Sequence, residues 1–454
     1  MSVATQMAAL GAAQAKSPIM DPGKHAMPVP PIPETLADTG LPDSLIEQLL
    51  MKVLYFQGDT LGRDLAAAMG LKFSVVEGVI ELLKHQHLIQ VKKSLGMGNI
   101  SAVYSLTDNG RTVAREHLNH SQYAGKVPVP LEQYEAMVAA QKLPDSWLTM
   151  EMLRRAFKHM VVSEEILSRV GPAVNAGKSF LIYGQPGNGK TYLAEALFGL
   201  DPAPIFIPYA IEAQGMVIEL FDPLHHQPVE TQEEDGSLLA LARQATHDMR
   251  WIKVRRPFIV SGGELDIGML ELNYNPTAKY YTAPMQLKAN NGIYLIDDFG
   301  RQKASPAEVL NRWIVPMERR IDYLTFKNGT KIHAPFECFL IFSSNLQPNQ
   351  LGDEAFLRRI QYKMLLKSPE EVEFKEIFDR FCQQQKLPCD TDVYERFMQK
   401  HYRNKGKRRR RCHPRDVVSH AMDLIRFEKR MWKLTDEVLD HAFESCFTEV
   451  GHDA

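Results

Sequence analysis

Apolar positions in SLIEQLLMKVLYF (44–56) recur at the three-to-four-residue spacing of an amphipathic helix, and a second helical run, TLGRDLAAAM, stops at Gly70. A third, SVVEGVIELLKHQ (74–86), opens on Ser74 with Glu77 three residues later, the spacing of a capping box. The period then changes. LIQVKK and AVYSLT read as strands about the turn LGMGN, and GRTVAREHL closes the region as a helix. Residues 1–42, rich in Ala, Pro and Met and including PVPPIPET, keep no sustained period and predict a disordered or polyproline-type arm. Residues 119–146, punctuated by KVPVPLEQY and KLPDS, read as a linker.

A larger α/β domain is expected from Trp147 to about residue 364, followed by a helical unit over 365–454. SFLIYG (179–184) is a strand, TYLAEALFGL is helical, and GQPGNGKT lies between them. In this loop Gly184, Gln185, Pro186, Gly187, Asn188 and Gly189 let backbone amides close around phosphate oxygens at a helix N-terminus. Lys190 is expected to reach the β and γ phosphates of ATP, and Thr191 to place its hydroxyl on Mg²⁺. A second strand, GIYLIDD (292–298), ends in two acids, Asp297 for the metal side and Asp298 for polarising the attacking water. A third, CFLIFSSN (338–345), ends in Asn345, whose amide can orient that water or sense the γ phosphate.

Composition narrows the class. At 454 residues, 44% hydrophobic and 24% charged, the chain fits a globular protein of two or three domains. A net charge of −2 supplies no global attraction to nucleic acid. The five cysteines are odd in number and form no CxxC pair, which predicts reduced thiols and a cytoplasmic protein. Cys412-His413 has no second ligand pair at zinc spacing. The first residues end an apolar run at Ala-Gln-Ala but lack a basic start, and no later run is long enough for a membrane span. LYFQG continues a helical apolar face and reads as native core. Just over a hundred residues separate Thr191 from Asp297 and imply an insertion. It carries ETQEED (230–235), the helix-like SLLALARQATHDM, and Tyr280-Tyr281, core aromatics or a pore element. RNKGKRRRRC (403–412) is the densest cationic run, a solvated loop or a site for an acidic partner or nucleic acid.

Three helices and a hairpin make residues 43–118 resemble a winged-helix domain. The helix expected to read DNA offers Glu77, Glu81, Lys84 and His85, a mixed face, and Lys92, Lys93, Arg111 and Arg115 are dispersed. Protein docking is therefore preferred to DNA binding. From Trp147 onward, GQPGNGKT, IYLIDD and FSSN, in that order, resemble the AAA+ ATPases. APMQLKANNGIYLIDD and ERRIDYLTFKNGTKIHAPFECFLIFSSN look like the clade of MoxR-like ATPases, magnesium chelatase subunits and enhancer-binding activators. The resemblance implies a parallel sheet flanked by helices, a C-terminal helical lid, and a ring, with a homohexamer as the family expectation. It also implies an arginine finger within EAFLRRIQYKM, Arg359 or else Arg358, that acts on a neighbour's γ phosphate, and a lid arginine, Arg415 in HPRDVVSHAMDL, that closes onto the nucleotide. The function implied is chaperone-like remodelling of a protein client; the alternatives are a DNA-associated regulator and a nucleotide-gated scaffold. One departure bears on turnover: the family usually carries Glu where this chain has Asp298, one methylene shorter.

Overall fold

In the computed structural model, which describes residues 27–96, 98–200, 202–229, 246–352 and 354–447 apart from the side chains of Ala355 and Phe356, the apolar runs of the large domain pair into one parallel sheet. Its five strands lie in the spatial order Phe258–Ser261, Ile293–Ile296, Phe339–Ser344, Ser179–Tyr183 and Tyr362–Leu365. Near-continuous hydrophobic strands are what a sheet covered on both faces requires. Alternate side chains accordingly feed two cores: Leu181, Tyr294, Ile296, Leu340 and Phe342 pack on one face, and Phe180, Ile182, Leu295, Ile341 and Met364 on the other. The first 26 residues of the expected arm, the acidic run Glu230–Asp235 and most of the helix-like stretch after it lie outside the described residues.

Between the glycine loop and the acidic strand, the chain supplies four strands of a second five-stranded sheet, ordered Asn273–Asn275, Tyr280–Thr282, Met216–Glu219, Ala210–Ala213 and, from before the loop, Val129–Pro130. This accounts for the excess length seen in the sequence. Tyr281 is buried in this sheet, its ring 5.0 Å from Tyr274 and 4.9 Å from Phe326. It is a core residue.

The sheet also corrects the expected linker. Val129–Pro130 is its edge strand, and Leu131–Ala140 is a helix whose Tyr134 and Val138 are buried against it. Gln141 clamps the strand Ile205–Pro208 of a separate two-stranded sheet, donating to the Phe206 carbonyl at 2.9 Å and accepting from the Phe206 amide at 2.5 Å. The prolines that suggested a linker stand at an edge strand and just before the helix, where a missing N–H costs nothing.

Residues 43–120 form helices Asp43–Gln57, Gly62–Met69, Phe73–His85 and Asp108–His120 around a three-stranded antiparallel sheet. Ile46, Leu50, Leu65, Val76, Ile80 and Tyr104 make its core. The capping box at Ser74 does not form, because the helix begins one residue earlier and Lys72, with no side-chain cap, precedes it. LYFQ is helical and Leu54 is core, but Phe56 is 59% exposed.

This unit packs on the second sheet, whose Ala210 and Val217 join its core, and a buried ion pair lies close to that seam. Arg250 and Asp248, each 2% or less exposed, meet at 2.8 Å, and Arg250 also donates to the carbonyls of Thr39 at 3.0 Å and Pro128 at 3.4 Å. Gly70, at φ 71°, leaves room for the close passage of this segment, since a Cβ there would stand 3.0 Å from the Met249 carbonyl oxygen.

The C-terminal helices Glu371–Gln384, Thr391–Met398, His413–Phe427 and Asp436–Cys446 enclose a separate core of Phe374, Phe378, Phe397, Val418 and Leu439. Among the described residues, no helix is long and apolar enough to cross a membrane.

Removing one member of a buried pair strands the other charge. Arg250→Ala is expected to lower stability by about 3–5 kcal/mol, read as a shift of the urea midpoint, whereas Asp248→Asn combined with Arg250→Met recovers most of the loss. An unshifted midpoint in the single variant would show that the pair contributes nothing to stability.

Candidate functional site

The strand Ser179–Tyr183 hands the chain to the loop at the carboxyl edge of the parallel sheet, the edge where open α/β sheets bind ligands. Gly184 turns at φ 147°, and a Cβ there would lie 2.5 Å from the Leu366 carbonyl oxygen, so only glycine fits between the loop and the next strand's exit. Gly187, at φ 80°, lies against the lid, where a Cβ would meet the Cys412 sulfur at 2.7 Å. Among the described residues, no protein acceptor takes the backbone N–H of Gly187, Asn188 or Gly189. Orphan donors clustered in a glycine loop suit an anion.

Lys190, 6% exposed, points its ammonium back into this loop. It donates to the carbonyls of Gly184 at 3.0 Å and Gln185 at 3.1 Å, and to Asn345 Oδ1 at 2.6 Å. Burial lowers its pKa, and the charges of Asp298 and Asp297 oppose that shift. Thr191 Oγ1 donates to Asp297 Oδ1 at 2.8 Å. Asn345 Nδ2 donates to Asp298 Oδ1 at 2.5 Å, so Lys190, Asn345 and Asp298 form one chain of hydrogen bonds. Asp298 adopts φ 53°, a left-handed conformation that Asp tolerates better than most residues. The backbone beside it is tied to the next strand, with the Phe299 amide on the Ser343 carbonyl at 2.6 Å and the Ser344 hydroxyl on the Phe299 carbonyl at 2.5 Å.

These groups line a cavity of about 600 Å³. Pro186, Gly187, Gly189, Lys190, Thr191, Asp297, Asp298, Asn345 and Arg415 all face it. Gly184, Gln185 and Asn188 do not. The first two hold Lys190 through their carbonyls, and Asn188 reaches away to the Leu366 carbonyl at 3.4 Å and Ser368 Oγ at 3.3 Å. Arg359 lies outside the cavity, where its Nε donates to Glu318 at 2.7 Å, and Arg358 is exposed.

Several lining residues escape sequence reasoning. His159, Met160 and Val161 come from the segment before helix Glu164–Ala176, and Ile377, Phe381, Arg380, Arg411 and Cys412 from the C-terminal helices and their connection. Apart from Arg411 and Cys412, which belong to the cationic run, none carries a local signal, because each gains its meaning only when the C-terminal unit packs against the loop. Glu195 is a further acid near the site, its pKa raised by burial and then by Asp297. Its place four residues after Thr191 was the only hint.

A family described as a domain of unknown function (DUF8689) matches residues 370–445, the stretch occupied by the C-terminal helices. No curated protein matches the chain. One similar solved structure is the Thermotoga maritima RuvB Holliday junction branch migration motor, 13% identical, with 63% of this chain and 69% of that one covered at a TM-score of 0.34. A mutant of Thermotoga maritima RuvB is 14% identical, with 66% of this chain and 71% of that one covered at a TM-score of 0.33.

The cationic run 403–412 lies inside the matched unit, and part of it is tied down while Lys405 and Arg408 stay exposed. Arg403 pairs with Glu371 and Glu395, Arg409 with Glu371, and Arg411 with Glu373. Lys407 lies over the rings of Phe447 at 3.7 Å and Phe443 at 4.5 Å. The next residues enter the core. His413 Nδ1 meets the Tyr402 hydroxyl at 3.0 Å, and burial, reinforced by Arg410 and Lys407, pushes its imidazole down to about 4. Because the folded pKa is the lower one, the unfolded chain takes up the proton first as the pH falls. Stability of this unit is therefore expected to be lost between about pH 6.5 and pH 4, and His413→Gln to flatten that slope in urea titrations across the range. A slope unchanged in the variant would assign the loss to other groups.

Proposed function

We propose that the cavity binds ATP with Mg²⁺, and that the chain is an AAA+ ATPase that hydrolyses ATP to remodel or assemble a protein client as a ring. The observation that carries this is the convergence on one cavity of Lys190, the Thr191–Asp297 pair, the Asp298–Asn345 pair and Arg415, drawn from four segments far apart in the chain.

The cavity's lining is of two chemistries. Met160, Val161, Ile377 and Phe381 suit a purine base, and the orphan amides of the loop with Lys190 suit a polyphosphate. Among the described residues, no three His, Cys, Asp or Glu side chains gather as a metal cage. A cation held by Thr191 and Asp297 would therefore complete its shell with phosphate and water oxygens, as Mg²⁺ does. When bound, it would neutralise charge on the transferring phosphoryl group.

The remaining work falls to side chains already in place. Lys190 exchanges Asn345 for phosphate oxygens, which frees Asn345 Oδ1 to accept from a water, while Nδ2 reaches the γ phosphate only by leaving Asp298. Asp298, held by its backbone at the strand end, accepts the water's proton. Arg415 lies at the start of helix His413–Phe427, held by Asp416 at 3.1 Å, and can turn to the phosphates. Arg359, outside its own cavity and beside Glu318, is suited to act on a neighbouring subunit's site. The tether from Asn345 to Asp298 and the short side chain of Asp298 favour slow turnover, the property of a nucleotide-gated scaffold.

For the N-terminal unit, a protein partner is the better reading. Lys84 is paired with Glu81 and Lys92 with Asp59, each at 2.9 Å, and Glu77 and Glu81 stand on the helix that DNA would have to meet. The five free thiols suit a reducing cytoplasm.

Steady-state phosphate release tests the reading. Lys190→Ala is expected to abolish ATP binding, and equal rates for this variant and the unaltered protein would sink the enzyme assignment. Asp298→Asn should retain ATP while turnover falls by about 10²–10³. Arg359→Ala should bind ATP normally, lose hydrolysis by about 10³, and regain activity when mixed with Asp298→Asn subunits. A protein that stays monomeric with ATP would remove the trans role of Arg359.

A further inference from the structure

Two arginines of the C-terminal unit face the cavity without being aimed at its phosphate end. Arg380, on helix Glu371–Gln384, donates through Nη1 to the carbonyls of Lys158 and Met160, each at 3.1 Å, and through Nη2 to Glu376 at 2.6 Å. Arg411, from the cationic run, donates through Nη1 to the Val161 carbonyl at 2.8 Å and through Nη2 to Glu373 at 2.9 Å. Both guanidinium forks make the same bridge, from a carboxylate of one helix to a backbone carbonyl of residues 158–161. The repetition matters, since charge-assisted bonds from a planar fork fix orientation as well as distance.

The segment they grip forms the base-side wall of the cavity. Met160 and Val161 line it, and the His159 ring stands edge-on to Tyr192 at 5.4 Å. Ile377 and Phe381, which also line the cavity, belong to the same helix that carries Glu373, Arg380 and Glu376. The arginine bridges join this helix to residues 158–161 directly. One residue beyond Arg411, the Cys412 amide donates to the Gly187 carbonyl at 2.9 Å, so one short stretch of chain touches both the base-side segment and the glycine loop.

We infer that Arg380 and Arg411 are positioning residues, a latch between the C-terminal helices and residues 158–161 that sets the width of the slot for the base. This inference rests on reading the cavity as a nucleotide site. It assigns to the cationic run a role in nucleotide affinity that involves no contact with phosphate and none with nucleic acid. A nucleotide that fills the slot favours the latched arrangement, and release of the latch opens the base side while leaving the loop and Lys190 in place.

The test compares two ligands on the full-length protein by calorimetry: a non-hydrolysable ATP analogue with Mg²⁺, which spans both ends of the cavity, and tripolyphosphate with Mg²⁺, which reaches only the loop. In Arg380→Ala and in Arg411→Ala, affinity for the analogue is expected to fall about tenfold or more, and tripolyphosphate affinity to stay within about twofold. Arg411→Lys, which keeps a donor for Val161 but loses the fork, should fall between. Equal weakening of both ligands would place the arginines on phosphate and overturn the inference, as would unchanged affinity for both.

Hydrogen exchange without nucleotide separates this outcome from a failure of the nucleotide reading. The amides of Lys158 and Met160, bonded to the carbonyls of Arg155 and Phe157, should exchange faster in the double variant Arg380→Ala/Arg411→Ala, with the sheet amides unchanged. If the unaltered protein binds neither ligand, the nucleotide reading fails and the latch is judged by exchange alone. Unchanged exchange at both amides would then overturn it.

Discussion

An ammonium group buried at the end of a glycine loop must be surrounded by acceptors, and the site of this protein is organised around meeting that requirement for Lys190. Desolvating a charge without partners costs several kcal/mol or more. The loop curls so that Gly184 and Gln185 present their carbonyls, and the third acceptor, Asn345, comes from another strand. That strand has to be the immediate neighbour of the loop's own, and it is, with Ser344 opposite Tyr183 in the parallel register. The acidic strand lies one place further out, paired through Ile296 and Phe342, which brings Asp297 to Thr191 and Asp298 to Asn345. Strand order, loop curvature and the placement of both acids thus follow from one buried charge.

The same economy of placement extends away from the cavity. The strand that ends in Asp297 is entered through Asn290 and Asn291, whose side chains bond the Tyr134 hydroxyl at 2.8 Å and the Val138 carbonyl at 3.0 Å. Tyr134 and Val138 belong to the helix that covers the second sheet, and that sheet in turn meets the N-terminal unit where Ala210 and Val217 join its core. A continuous run of hydrogen bonds and packed side chains therefore joins the acidic strand to residues 43–120. The insertion serves as a mount: it replaces a flexible tether with a fixed seat for the N-terminal unit.

The C-terminal unit completes the cavity from the other side. Its own core is separate and its cations are largely neutralised by its own carboxylates, so it is a self-sufficient body. What it contributes to the site is an apolar wall, Arg415, and the two guanidinium bridges to residues 158–161. Because few bonds cross between the two bodies here, each crossing bond has a large share in setting the cavity's shape.

The sequence alone determined the chemistry that is local. A strand, a glycine loop and a helix in succession can be read from period and residue type, as can two strands that end in Asp297-Asp298 and in Asn345, because backbone geometry and side-chain identity at those points depend on few neighbours. Two failures were of the opposite kind. The Pro-punctuated residues 119–146 form an edge strand and a buried helix, since pairing with Ala210–Ala213 supplies what local propensity lacked. Of the cationic run 403–412, Arg403, Arg409 and Arg411 are held by Glu371 and Glu373, which lie beside them in space and more than thirty residues away in the chain, while Lys405 and Arg408 stay exposed. Only the tertiary structure decided which groups share a cavity and which walls are tied together, because a hydrogen bond between residues two hundred positions apart leaves no period and no motif in either segment.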